Sequence, residues 1–346
     1  MNKKRAVALA LTGAALALAA ALMLSARRQA QDRVWEEQIF AMDTVMTLSA
    51  YGPNGRVAVK EAAQELLRLD ALWSVGSPDS EISKLNAREE GLRLSEDTLV
   101  LLERAQELCR ETGGLFDPTI YPLMTLWGFP SGMPRVPAQE EIEDLLPLVD
   151  GSGLLSEDGS LSLRPGQELD PGGIAKGYAS ARVMEIFEAR GVSSGMVSLG
   201  GNIQTLGAKP DGSPWRIGIR DPSGGVQSYL SVLSVTNRAV ITSGGYERFF
   251  EADGERYIHI LDPRTGRPAR SDLQSATVIS EDGILADALS TALYIMGAED
   301  ARRFWARQAD RFDMVLLTQS GELLVTEGVA DRVQTQRTVR VLRSDG

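Results

Sequence analysis

Asp170-Pro171-Gly172-Gly173-Ile174-Ala175-Lys176-Gly177-Tyr178 is the point where the chain turns from extended to helical. An alternating segment (Leu161, Leu163, then Leu169) runs into it. Pro171 cannot continue a ladder, and Gly172-Gly173 lets the backbone turn tightly and approach a ligand. From Ile174 a helix is predicted, because Ile174, Tyr178, Ala181, Val183, Met184, Ile186 and Phe187 form an apolar face and Gly191 follows as a stop. Strand, glycine turn and helix N-terminus together collect phosphate oxygens, since the first helical N–H groups are unpaired. Lys176 adds a cation. The spacing is neither Gly-x4-Gly-Lys-Ser/Thr nor Gly-x-Gly-x-x-Gly. Taken alone, such a turn is equally ordinary packing punctuation.

Outward from that turn, 346 residues with 43% hydrophobic and 24% charged side chains describe a globular chain with a sizeable core. The net charge of −11 excludes nonspecific nucleic-acid binding and means that an anionic ligand needs local cations or a metal. A single cysteine, Cys109, excludes an intrachain disulfide. Lys3-Lys4-Arg5 precedes an uncharged run from Ala6 to Ala26, long enough to span a bilayer. The leading cations favour an N-in orientation, with the body outside the cytoplasm. Residues 1–28 are thus a membrane anchor or a signal segment. The poor Ala-x-Ala site and Arg27-Arg28 favour the uncleaved anchor, with cleavage and secretion as the alternative. Residues 29–37 form a polar linker and 337–346 a C-terminal tail.

Along the body, Phe40–Tyr51 reads as one strand and Val57–Leu72 as an amphipathic helix. Ser77-Pro78-Asp79-Ser80 starts a short helix, and Ser95 caps a longer one ending at Gly113-Gly114. Leu115–Pro137 is loop-rich, the composition of a binding element. Gln139–Leu146 is a short helix. Leu154–Leu169 reads as a hairpin turning at Glu157-Asp158-Gly159. Strands follow over Met196–Leu206, Trp215–Asp221, Ser228–Val235, Ala239–Phe250, Tyr257–Leu261 and Ser275–Ser280. Helices over Leu285–Met296 and Ala298–Gln308 precede a closing hairpin, Met314–Val325. Gly200-Gly201 and Gly244-Gly245 each follow a similar strand, a weak hint of duplication. The fold class is α+β: a mixed, largely antiparallel sheet core with outer helices, in two interlocked lobes with the site between them.

Three other places offer chemistry. Asp287 and Thr291 are i and i+4 on a predicted helix, so their oxygens share a face. With a glycine-turn carbonyl they make a hard oxygen site suited to Mg²⁺; the plain alternative is a dipole-stabilised Asp and a Thr bonded to its own backbone. His259, the only histidine, can take a proton from a hydroxyl; a strand-end His is also a common structural residue. Leu115-Phe116-Asp117-Pro118-Thr119, with Trp127 near, suits an aromatic heterocycle by stacking and a polar edge contact. A buried Phe beside an Asp capping a turn is the alternative there.

Their order along the chain is more specific than any single piece. Met42-Asp43-Thr44, Asp79-Ser80-Glu81-Ile82-Ser83-x-Leu85-Asn86 and Gly114-Leu115-Phe116-Asp117-Pro118-Thr119 come first. Asp170-x-Gly-Gly-Ile-Ala-Lys-Gly, Ser198-Leu199-Gly200-Gly201-Asn202, His259-Ile260-Leu261-Asp262-Pro263-Arg264-Thr265-Gly266 and Ala286-Asp287-Ala288-Leu289-Ser290-Thr291-Ala292 follow. This set resembles the ApbE family of FAD:protein FMN transferases over roughly Phe40–Thr326, which makes residues 38–336 an ApbE-like domain.

The resemblance implies Mg²⁺-dependent cleavage of FAD, as substrate, at its pyrophosphate. The FMN half passes to a Ser or Thr hydroxyl of an extracytoplasmic acceptor protein, and AMP leaves. It implies FAD contacts at Met42, Leu115, Phe116, Asp117, Asp170, Lys176 and Ile258. It implies Mg²⁺ ligands at Asp287, Thr291 and the Gly173 carbonyl, and His259 as the group that activates the acceptor hydroxyl. Two positions depart from the pattern. Gly76-Ser77 stand where relatives carry an aromatic, with Trp73 as the candidate stand-in, and Pro171 replaces a common Leu. The chain holds no Asp-x-x-Ser/Thr-Gly-Ala-Thr acceptor motif, so self-flavinylation is not expected. The competing functions are an Mg²⁺-dependent FAD pyrophosphatase and a non-catalytic exported flavin-binding protein.

Overall fold

The computed structural model describes residues 29–155, 163–225 and 228–345, with 20, 21, 23, 25 and 161 besides. The expected anchor or signal segment, 1–28, lies almost wholly outside the described residues. Among these, no helix is long and apolar enough to cross a membrane. The expected hairpin turn at 157–159 also lies outside them; its flanks Leu155 and Leu161 form an antiparallel bridge.

One nine-stranded sheet organises the chain. Its spatial order is Val34–Ala41, Thr44–Tyr51, Gly195–Leu199, Asn202–Leu206, Ala239–Gly244, Leu273–Ser280, Asp313–Thr318, Leu323–Thr326 and Val339–Leu342. Every neighbouring pair is antiparallel except the last, which is parallel. The central strands are apolar on both faces. Ala276 and Val278, Ile241, and Met314 and Leu316 point into the main core, beneath the helices Gly55–Trp73, Ala175–Ala189 and Gly283–Met296. Ile279, Val240, Val315 and Leu317 point the other way, into a core closed by Trp215, Ile217, Leu230 and Leu233 of a three-stranded sheet. Burial on both faces explains why these strands read as near-continuous apolar runs. The large sheet thus carries a core on each face, and a third, smaller cluster gathers Leu123, Trp127, Phe129, Ile142 and Leu261.

The helices start on side-chain caps, the expected Ser95 among them. Ser80 accepts from Ser83 N (3.0 Å) and opens Glu81–Asn86; Ser95 accepts from Thr98 N (3.3 Å) and opens Glu96–Glu111. Asp282 does the same for Leu285 N (3.0 Å) at the helix Gly283–Met296.

Several boundaries differ from expectation, each for a physical reason. Phe40–Tyr51 is not one strand. Met42 and Asp43 adopt φ of +48° and +57° and join Val34–Ala41 to Thr44–Tyr51 as a two-residue hairpin. Such turns favour Asn-Gly; here the Met42 N–H is held by Asp70 Oδ1 at 2.9 Å, a contact from 28 residues away. The linker expected through Glu37 becomes strand from Val34, a polar edge strand whose alternation was masked by Glu36, Glu37 and Gln38. Val339–Leu342 in the expected tail closes the other edge. Met196–Leu206 and Ala239–Phe250 each break at their glycine pair. Only Gly200-Gly201 is a positive-φ hairpin turn, so the two Gly-Gly sites are not equivalent. Leu115–Pro137 contains the helix Tyr121–Trp127.

Gly177 lets two of the covering helices touch. A Cβ there would lie 2.3 Å from the Gly283 carbonyl oxygen and 2.7 Å from Asp287 Cβ. Gly177→Ala is expected to destabilise the fold by about 1–3 kcal/mol through overpacking. Urea unfolding checks this as a lower midpoint at unchanged slope.

Candidate functional site

The glycine turn forms as a single 3₁₀ turn, Pro171–Gly173, capped by Asp170, whose Oδ1 accepts Gly172 N at 2.8 Å. The helix that follows starts at Ala175. The residue at its cap, Ile174, has no side-chain acceptor to offer. The carboxylate of Asp287 supplies one from the neighbouring helix: its Oδ2 accepts Gly177 N at 2.8 Å. Its Oδ1 accepts the Asn202 amide at 2.8 Å. Asp287 is buried, at 5% exposure, and is therefore held by two donors and by the field of a helix N-terminus. Because Gly177 N–H bonds to Asp287, the Gly173 carbonyl one turn upstream has no amide donor among the described residues. Thr291 lies one turn beyond Asp287, its Oγ1 3.2 Å from Ser243 Oγ. Among the described residues no group of three or more His, Cys, Asp or Glu side chains could hold a metal ion. The oxygen donors that the sequence offers here are the Asp287 carboxylate and Thr291 hydroxyl on the helix Gly283–Met296 and the Gly173 carbonyl on the turn that touches that helix.

His259 follows the strand Glu255–Ile258. Its backbone N–H donates to the Arg248 carbonyl at 3.0 Å, and its Nδ1 lies 3.1 Å from the same oxygen. A carbonyl only accepts, so Nδ1 carries the proton and Nε2 keeps a free lone pair. Burial pulls the imidazole pKa down to about 4, and the charges of Arg248 and Lys176 push the same way. The ring is neutral at pH 7.

Charge couples these residues into one place. Burial raises the Asp170 carboxyl, Lys176 and Arg248 oppose that, and Asp43 adds to it. Burial also raises Glu247, against Lys176 and Arg220 and together with Asp287. Lys176 thus acts on Asp170, Glu247 and His259, and Arg248 on Asp170 and His259. The sequence-predicted Asp170, Gly173, Lys176, His259 and Asp287 converge. Arg248, Glu247 and Asn202 join them without having been singled out. A signal for the first two was present: Gly244-Gly245-Tyr246-Glu247-Arg248 places an aromatic, an acid and a base directly after a strand-ending glycine pair.

The loop residues divide. Phe116 lies against the turn, where a Cβ on Gly173 would be 3.1 Å from its Cε2. Ile258 packs at Gly245, and Met42 sits at its hairpin tip. Asp117, however, takes the turn-capping role. Its Oδ1 accepts Thr119 N (2.8 Å) and Oγ1 (2.6 Å), and its Oδ2 accepts Gly151 N (2.9 Å) and the Cys109 thiol (3.5 Å). Those four donors fill the carboxylate, so Asp117 shapes the Leu115–Thr119 loop rather than offering an edge contact. Trp127 is not beside that loop's open side. It is fully buried in a separate cluster, its Nε1 donating to Gly266 O at 2.8 Å and its ring against Phe250 and Tyr257. Trp73 does not substitute for the missing aromatic near Gly76 either. It is 3% exposed, bonded to Thr98 Oγ1 at 3.0 Å and edge-on to Tyr178 in the main core.

A scan against family models matches the ApbE family over residues 42–316. The chain belongs to the ApbE family. The match begins at the Met42 hairpin tip and ends within the strand Asp313–Thr318. Among curated ApbE relatives, the FAD:protein FMN transferase of Treponema pallidum is 30% identical over 328 residues, covering 88% of this chain and 90% of the relative. The FAD:protein FMN transferase of Vibrio cholerae is 35% identical over 249 residues, covering 70% and 74%. Solved ApbE structures agree with the fold. The Thermotoga maritima ApbE protein superposes with a TM-score of 0.80 at 33% identity, covering 86% of this chain and 98% of that one. The flavin transferase ApbE from Vibrio cholerae gives 0.74 at 30% identity, covering 83% and 94%. The α+β class, with its large antiparallel sheet, is the ApbE architecture.

Proposed function

We propose that this chain transfers the FMN half of FAD to a Ser or Thr hydroxyl of an acceptor protein and releases AMP. The observation that carries the reading is His259, neutral and oriented by the Arg248 carbonyl, beside the Asp170–Lys176 turn. The acceptor oxygen attacks the phosphorus on the FMN side of the pyrophosphate. The P–O bond to AMP breaks, and the hydroxyl proton passes to His259 Nε2. Lys176 and Arg248 supply positive charge where the net charge of −11 would otherwise repel a dianionic substrate. Met42, Leu115, Phe116, Asp170, Lys176 and Ile258 line the place for FAD, and Asp117 holds the loop that carries Phe116.

The all-oxygen set of Asp287, Thr291 and the Gly173 carbonyl fits Mg²⁺, a hard cation that keeps waters and shares phosphate ligands. Those residues would hold Mg²⁺, which would supply positive charge for the pyrophosphate. The apolar run Ala6–Ala26 anchors the body to the outer side of the cell membrane, so the acceptor is extracytoplasmic. Protease added to intact spheroplasts should cleave the body from its membrane fraction; full protection would contradict that placement. For the chemistry, the protein is incubated with FAD, Mg²⁺ and an acceptor protein, and AMP is followed together with flavin on the denatured acceptor. AMP formation and acceptor-bound flavin that both stop on chelation are the expected result, and tight FAD binding without AMP would leave a binding protein.

A further inference from the structure

Among the described residues, the segment Arg164–Leu169 leads into the glycine turn without joining a sheet; beyond a single bridge between Ile120 and Glu168 it has no strand partner there. Leu169 is fully buried, yet both of its backbone groups are satisfied by one side chain. Its N–H donates to Asn86 Oδ1 at 2.8 Å, and Asn86 Nδ2 donates to its carbonyl at 2.9 Å. The amide takes the place of a neighbouring strand. Two residues on, Arg88 holds a φ of +56°, unusual for a side chain with a Cβ. Its guanidinium donates to Arg164 O (2.6 Å), Gln167 O (2.9 Å) and Asn86 O (3.0 Å). On the far side, Asp170 N donates to Pro118 O at 2.7 Å.

We propose that Asn86, braced by Arg88, is the positioning residue of the Asp170–Gly173 turn. This rests on the reading of that turn as part of the FAD site. Asp170 and the Gly173 carbonyl can lie only where the backbone entering the turn puts them. No ladder fixes that backbone, so the Asn86 amide and the Pro118 carbonyl do. The strained Arg88 conformation is maintained by its three carbonyl contacts, all of them on the same clamp.

The test is FAD titration by flavin fluorescence, with KM and thermal midpoint measured alongside. Asn86→Ala should raise the FAD Kd and KM by about tenfold, with the KM for acceptor unchanged. Asn86→Asp should be no better, since it turns a carboxylate toward the Leu169 carbonyl. Arg88→Ala, which removes only the brace, should give a smaller rise and guards against an Asn86 variant that fails to fold. Ser80→Ala, which removes the cap of the same helix, should lower the thermal midpoint and leave the FAD Kd unchanged. Wild-type affinity in Asn86→Ala and Arg88→Ala, or an equal rise in Ser80→Ala, would overturn the proposal. A wild-type protein that does not bind FAD would overturn the flavin reading itself, and this inference with it.

Discussion

Asp287→Ala is expected to lower AMP release from FAD by about a thousandfold, the scale of a few kcal/mol of lost charge stabilisation. The substitution removes the only carboxylate of the Asp287–Thr291–Gly173 oxygen set. It also leaves Gly177 N and the Asn202 amide without their 2.8 Å acceptor in a buried position. Each orphaned buried donor costs about 1–3 kcal/mol, so a stability loss accompanies the catalytic one. The two effects separate. Urea unfolding reports the first, and Mg²⁺ titration calorimetry on the still-folded variant reports the second. Asp287→Asn keeps the side-chain volume and an acceptor for one of the donors, and should recover stability but not cation affinity. AMP release within tenfold of wild type in Asp287→Ala would contradict the assignment.

His259→Gln is expected to lower flavin transfer by about 10²–10⁴-fold, the range for a general base, with FAD affinity little changed. The pH dependence follows from the direction of the His259 shift. Its pKa lies near 4, below the ordinary histidine value, because burial disfavours the imidazolium. The base is competent when unprotonated, so its contribution is present above pH 5 and lost as pH falls through about 4. The rate should be flat from pH 6 to 8 as far as this group is concerned. The same shift makes the unfolded state the better proton binder between about 4 and 6.5, so folding stability should fall as pH drops through that window. An acid limb centred near 6.5 that vanishes in His259→Gln would show an imidazole in ordinary solvent, contrary to its packing here.

Local signals were readable from the chain and long-range ones were not. The glycine turn and the helix after it, the Ser95 cap and the Asp287–Thr291 spacing depend on residues within a few positions, and each formed close to where it was read. The Met42-Asp43 hairpin depends on Asp70, and the Asp287 orientation on Gly177 and Asn202. Such pairings exist only once the sheet has assembled. Trp127 and Trp73 misled because an aromatic near a motif in sequence can belong to a different core, and both do. The Val34–Ala41 edge strand was hidden by the polar residues that keep an edge from pairing with other chains.

The most direct measurement is the intact mass of a denatured acceptor domain after incubation with this protein, FAD and Mg²⁺, with AMP measured in the same sample. One FMN gained, less water, on a Ser or Thr residue for each AMP released is the predicted result. AMP accompanied by free FMN and an unmodified acceptor would contradict it, placing water where the hydroxyl is proposed to sit.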